Sequence, residues 1–322
     1  MSRVWDDQFL GEELAASENT RDTARFEVVP CGLEATVSYG MGTAQGPSAI
    51  IAASHQLERL VYDTEPCREG IFTHPPVNCD RPVEEVMQGL RDLTADIARR
   101  GHVPVTLGGE HSISYGAVTG VVDALGPIGL IHVDAHADFR DAYQGHKFSH
   151  ASVMYLLAGE GLPMVSLGVR ALSVEEDAAR KAHGVITHDA RQLIRDDTHE
   201  ITLPEDFPEN VYITFDLDCL DPSVAPAVSN IEPGVTGFSM DEAVELLRDG
   251  KRSGGPLASS ALQTSLLCAI FKWLNDDKRV TFDYAVSLVD EWERTPADFE
   301  RLQSAFYVHF GYDPMCHWHG LS

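Results

Sequence analysis

The chain has 322 residues, 43% of them hydrophobic and 23% charged, with Asp+Glu 50 against Lys+Arg 24 and a formal net charge of −26. These are ordinary globular values, which exclude a wholly disordered chain, and the length suits one large α/β domain or two small ones. The acidic balance, with no basic cluster longer than Lys251-Arg252, excludes nucleic acid and other phosphate-backbone partners. The opening Met-Ser-Arg-Val-Trp-Asp-Asp has acids where a secretory signal needs a positive and then an apolar stretch. No run approaches the roughly 18 apolar residues of a membrane span. Six cysteines (Cys31, Cys67, Cys79, Cys219, Cys268 and Cys316) without CxxC pairing read as reduced thiols. A soluble cytoplasmic protein without a membrane partner is expected.

From about residue 27, short apolar runs alternate with longer amphipathic ones, the pattern of a parallel sheet covered by helices. In chain order the pattern predicts a strand over Phe26–Pro30, a helix over Pro82–Arg99, a strand over Val103–Leu107 and a helix over Ser112–Leu125. Strands follow over Ile128–Asp134 and Met164–Gly168, a helix over Val174–Ala182, a strand over Val211–Asp216 and a helix over Met240–Leu247. Beyond a glycine-rich loop at 250–256 come a largely apolar helix over Leu257–Leu274, a strand over Val280–Tyr284 and a helix over Pro296–Val308. Ligands in open parallel sheets bind beyond the carboxyl ends of the strands, so those ends are where chemistry is sought.

Three of them carry metal-ligand chemistry. The strand Ile128–Asp134 runs into Asp134, His136 and Asp138; side chains alternate on a strand, so residues two and four apart project to one side. Two carboxylates and an imidazole at the end of a buried strand are costly without a cation to neutralise them. Val211–Asp221 ends the same way, with Asp216 and Asp218 two apart, while Asp221 precedes Pro222 and reads as a turn former. Val103–Leu107 runs into Gly108-Gly109-Glu110-His111-Ser112, and the two glycines permit a tight turn that places His111 at the same edge. Alone, His111 is an ordinary turn residue and Glu110 a first-turn acid suited to the helix dipole. Together, two His and four Asp suit a pair of divalent ions, Mn²⁺ foremost, with Fe, Co, Ni and Zn as rivals. Cys219 has the opposite parity from Asp216 and Asp218, and no thiolate is needed. Two such ions would generate hydroxide at neutral pH. The site would stay net negative, which favours a cationic substrate.

These stretches resemble the ureohydrolase (arginase/agmatinase) family: Gly-Gly-Glu-His-Ser at 108–112, Asp-Ala-His-Ala-Asp at 134–138 and Thr-Phe-Asp-Leu-Asp-Cys-Leu-Asp-Pro at 214–222. The resemblance runs from about residue 28 to 250, including Ser38–Ile50 and Gly168-Val-Arg170, within a single domain over 1–322 whose part 251–322 diverges. It looks most like bacterial and archaeal agmatinases. It implies a three-layer α/β fold around a mostly parallel sheet of about eight strands, assembled as a trimer or hexamer. It implies two Mn²⁺ per subunit, with Ni²⁺ or another divalent ion as the alternative. His111, Asp134, Asp138 and Asp216 would bind one ion and His136, Asp134, Asp216 and Asp218 the other, Asp134 and Asp216 bridging. It implies His150 as the proton shuttle, with His146 the weaker candidate, and leaves His132 as core or support. The implied reaction is hydrolysis of a small cationic guanidinium substrate to urea and an amine, agmatine giving putrescine. Guanidinobutyrase, guanidinase and arginase stay open within the class, and a metal-binding pseudoenzyme or partner subunit of an active paralogue outside it. A single-zinc deacetylase on the related fold fits less well, because one Zn²⁺ uses three protein ligands and an open site.

The chain departs from the family pattern after Asp221-Pro222, where Ala225–Gly234 replaces the usual glycine-rich loop. The family also places a guanidinium-holding glutamate well past the third motif, yet no Asp or Glu occurs from Gly250 to Asn275. Asp283, Asp290, Glu291 or Glu293 are the possible substitutes. The terminal Cys316-His317-Trp318-His319 lacks a matching second pair upstream and reads as a mobile end.

Overall fold

The computed structural model describes residues 7–38, 40–60, 65–196, 203–208 and 210–221. Its elements, in chain order, are β1 (Phe26–Cys31), α1 (Gly46–Ser54), β2 (Ile71–Thr73), α2 (Val83–Arg99), β3 (Val103–Gly108), α3 (Ile113–Leu125) and β4 (Gly129–Val133). They continue with α4 (Val153–Gly159), β5 (Met164–Leu167), α5 (Val174–Ala182), β6 (Ile186–His188), α6 (Ala190–Asp196) and β7 (Val211–Phe215). The strands form a three-stranded sheet of order β2-β1-β3 and a four-stranded one of order β6-β5-β4-β7, every pairing parallel. Seven strands are thus present among the described residues, against about eight expected. The elements predicted at Met240–Leu247, Leu257–Leu274, Val280–Tyr284 and Pro296–Val308 lie outside the described residues.

All six residues of β1 are buried, because helices cover both of its faces. Val28 joins one core with Ile50 and Ile51 of α1 and with Ile131 and Val133 of β4. Val29 and Cys31 point the other way, onto Val86, Met87 and Leu90 of α2. The strand β4 divides likewise, sending Leu130 toward Val118 of α3 and Val153, Met154 and Leu157 of α4. Helix, sheet and helix make three layers.

The α2 helix illustrates the local logic. Val86, Met87, Leu90, Thr94, Ile97 and Ala98 recur at three- and four-residue steps and are buried, while Glu84 and Glu85 in the first turn and Arg99 in the last suit the helix dipole. It lies so close to α3 that a methyl at Gly120 would fall on the Arg91 carbonyl and the Thr94 hydroxyl. Thr94 Oγ1 donates across that contact to the Ala117 carbonyl at 3.0 Å.

Strand register sets up the site. Val133 pairs with Phe215, so Asp134 and Asp216 emerge side by side one residue later. The Asp216 amide donates to the Val133 carbonyl at 2.9 Å, and the Asp134 amide to that of Leu167 at 3.1 Å.

Candidate metal centre

At the end of β3, the Gly109 amide donates to the Cys31 carbonyl at 3.2 Å and the Glu110 amide to the Leu33 carbonyl at 2.8 Å. A Cβ at Gly109 would fall on the Leu33 backbone, so only glycine lets the turn pass there. The turn delivers His111 into the interior. Its Nε2 lies 2.8 Å from Thr214 Oγ1, which in turn lies 2.9 Å from Ser114 Oγ. The opposite nitrogen, Nδ1, faces Asp138 Oδ2 at 2.9 Å, Asp134 Oδ2 at 3.0 Å and Asp216 Oδ2 at 3.5 Å. Nδ1 is buried and makes no directed hydrogen bond to any of them. A ring nitrogen facing three carboxylate oxygens at these distances is placed as a ligand around a shared cation would be.

Strand alternation does not place Asp138, as the spacing alone predicts. β4 ends at Val133, and Asp138 has φ 50°, a left-handed turn that swings its carboxylate back beside Asp134. The turn is pinned on both sides: the Met154 amide donates to the Asp138 carbonyl at 3.1 Å, and the Phe139 amide to Glu176 Oε1 at 3.2 Å. Glu176 also closes the capping box of α5 with Ser173. Asp134 Oδ1 accepts from the His136 amide at 2.6 Å. His132, fully buried, lies with Nε2 3.0 Å from Asp134 Oδ2 and Nδ1 3.0 Å from Ser166 Oγ. Both its nitrogens are thus engaged.

Asp218 is likewise off the strand, on a short 3₁₀ turn over Leu217–Cys219 whose first amides are tied by Asp216, Oδ1 accepting from the Asp218 amide at 3.0 Å. Asp218 Oδ2 meets His136 Nδ1 at 2.8 Å, and Asp134 Oδ1 lies 3.6 Å from the same nitrogen. Two clusters of ligand atoms therefore share Asp134: His111, His132, Asp134 and Asp138, and Asp134, His136 and Asp218. Arg170 holds the second in place, donating to the Asp218, Cys219 and Leu220 carbonyls at 2.6, 3.0 and 3.0 Å. Sequence reasoning noted Arg170 but gave it no such part, since these contacts span roughly fifty residues of chain.

The electrostatics call for positive charge. Burial works against an ionised Asp134, yet His111, His132 and His136 outweigh it and hold the carboxyl well below the usual range. Burial and the neighbouring Asp134 push Asp138 up, and burial with Asp216 and Asp134 pushes Asp218 well up. Burial likewise opposes charge on the imidazoles, but Asp134 and Asp138 hold His111 well above its ordinary range, and Asp134 and Asp218 hold His136 at about 12. Cys219 stays a thiol, raised by burial and then by Asp218, Asp216 and Asp134.

His150 opens a 3₁₀ turn over His150–Ser152 and is half-buried against Tyr143, ring centroids 5.4 Å apart. His146 is exposed; with Tyr143 it closes a tight turn through Gln144 (φ 49°) and Gly145 (φ 85°), the two backbones exchanging hydrogen bonds of 3.0 and 2.8 Å. Asp283, Asp290, Glu291, Glu293 and the Cys316–His319 stretch lie outside the described residues.

Comparison with known proteins agrees with this geometry. A family model described as "Arginase family" matches residues 24–258. The N(1)-aminopropylagmatine ureohydrolase of Thermus thermophilus is 35% identical over 229 residues, 70% of this chain and 78% of that protein. The enzyme of that name from Synechocystis is 34% identical over 72% of this chain and 78% of its own length. The crystal structure of the agmatine ureohydrolase of Thermoplasma volcanium superposes with a TM-score of 0.63 at 26% identity, covering 83% of this chain and 97% of that one. With its parallel sheet, its paired carboxylate–imidazole clusters and these relatives, the chain belongs to the arginase family.

Proposed function

We propose that this protein is a binuclear-metal amidine hydrolase that cleaves a guanidinium group to urea and an amine, with agmatine as substrate and putrescine as the amine. The observation that carries the reading is the pair of ligand clusters sharing Asp134, with the buried His111 Nδ1 turned toward three carboxylates. Imidazole nitrogen and carboxylate oxygen without thiolate suit Mn²⁺, with Ni²⁺ the alternative. His111, Asp134, Asp138 and Asp216 would hold one ion and His136, Asp134, Asp216 and Asp218 the other. When bound, the two ions would supply an activated water at neutral pH.

The protein's own residues do the rest. His132 orients Asp134, and Thr214 orients His111, as hydrogen-bonded partners of ligands generally do. The surplus of buried carboxylate favours a substrate that is small and cationic. His150 would protonate the leaving amine. A longer cationic tail is the second reading, favoured by the relatives named for N(1)-aminopropylagmatine.

The test is urea release by Mn²⁺-reconstituted protein from agmatine and, in parallel, from N(1)-aminopropylagmatine, with a metal-stripped control. Metal-dependent release from agmatine is expected. Preference for the longer substrate would transfer the assignment to the second reading. Two ions bound without release from any guanidine would point instead to a protein that keeps the metal cage without the activity.

A further inference from the structure

Between β1 and α1, the loop at 35–38 is fastened to the metal-ligand turn by one buried carboxylate. Glu110 Oε2 accepts from the Ala35 and Thr36 amides, each at 2.7 Å, while Oε1 accepts from Thr36 Oγ1 at 3.0 Å and Ser112 Oγ at 2.5 Å. Thr36, buried as well, then meets His150 twice: the His150 amide donates to Oγ1 at 3.3 Å, and Nδ1 lies 3.3 Å from the same oxygen. A hydroxyl has one hydrogen and two lone pairs. An ionised acceptor takes that hydrogen in preference to a neutral one, so Thr36 gives it to Glu110. The backbone N–H of His150 can only donate, which fills one lone pair. The other can be satisfied only if Nδ1 carries a proton and donates it. The far nitrogen, Nε2, is then the bare one, and Ser38 Oγ, 2.9 Å from it and 3.1 Å from the Tyr143 hydroxyl oxygen, turns its single hydrogen from the tyrosine to the imidazole.

We propose that Thr36, polarised by Glu110, is a positioning residue that fixes His150 in the Nδ1–H tautomer and so presents Nε2 as the nitrogen that exchanges a proton with substrate. Which ring nitrogen bears the proton is set by the hydrogen bond the other one makes. The functional meaning rests on the amidine-hydrolase reading above; the tautomer does not. The carboxylate's polarity is decisive. In Glu110→Gln the amide must turn its oxygen to the Ala35 and Thr36 amides, which can only donate, so its NH₂ faces Thr36. Thr36 then accepts there and gives its hydrogen to Nδ1, reversing the tautomer.

The experiment is a long-range ¹H–¹⁵N correlation on the full chain, metal-free and labelled at histidine, at a pH where His150 is neutral, with His150→Gln identifying its signals. The expected result is an unprotonated Nε2 in wild type and in Thr36→Ser, and a protonated Nε2 in Glu110→Gln. Thr36→Val, which offers no oxygen to Nδ1, should also lose the Nδ1–H form and serves if Glu110→Gln fails to fold. In the metal-loaded enzyme, Glu110→Gln should lower kcat by about 10²-fold with KM and metal content retained, and Thr36→Ser should keep most of the turnover. Wild-type His150 protonated at Nε2, or an Nδ1–H form that persists in both Glu110→Gln and Thr36→Val, overturns the proposal. The expected spectra from a protein that releases no urea would uphold the relay and refute the amidine-hydrolase reading instead.

Discussion

Arg170→Met tests whether the second ligand cluster depends on a residue that never touches the cation. The methionine keeps an unbranched apolar stem and removes the donors to the carbonyls of Asp218, Cys219 and Leu220. Hydrogen bonds to charged groups contribute roughly 1.5–3 kcal/mol each. The three share one guanidinium that is only partly buried, so water replaces some of what is lost and the sum is not additive; about 3–4 kcal/mol is the reasonable total. At roughly 2–4 °C per kcal/mol, the midpoint of thermal unfolding should drop by about 6–16 °C. The loss should be measured on metal-free protein by calorimetry, so that ion release does not confuse it. Metal analysis supplies the second reading: with the Asp218 turn loosened, the content should fall from near two ions per chain toward one, the His111 cluster keeping its own. A midpoint within about 2 °C of wild type, with a full metal complement, would refute this account of the turn.

Three further outcomes are expected. Asp134→Ala should bind neither ion, because both clusters include its carboxylate; a variant that still holds two would remove Asp134 as the shared ligand. His150→Ala should retain both ions and turn over about 10²–10⁴-fold more slowly, and unchanged turnover would move the proton-carrying role to His146. The third concerns acid stability. Glu27, wholly buried in β1, lies 2.6 Å from His74 Nε2, 2.5 Å from His102 Nδ1 and 2.6 Å from Arg100. Burial raises its pKa, but Arg100, His102 and His74 together hold it below the ordinary 4.5. A carboxyl depressed in the folded state contributes stability that is complete above its unfolded value and lost as pH falls through the folded one. Glu27→Gln should therefore be less stable than wild type at neutral pH, the gap closing below about 4.5; a gap of constant size across that range would count against the assignment.

The candidate ligands were legible in the sequence because their chemistry is conspicuous and local. An apolar run that stops on Asp134, His136 and Asp138, or on Asp216 and Asp218, identifies a strand end and a charge problem at once. The alternation of apolar and amphipathic stretches likewise announced a parallel sheet between helices. The strands β2 and β6 escaped notice since each has only three residues, too short a run for a period to register. What tertiary structure alone decided is how the ligands converge. Strand parity suggested that Asp138 and Asp218 share a side with their partners, whereas a left-handed turn and a 3₁₀ turn bring them in. Those turns are held by Glu176 and Arg170, and the His150 loop by Glu110 and Thr36, through contacts between residues far apart in the chain. A single sequence carries no sign of such pairings, because a buried carboxylate or guanidinium acquires its role only from the backbone groups that folding sets around it. Composition and spacing thus determined which side chains stand at the strand ends; the packing of distant turns determined how they are brought together.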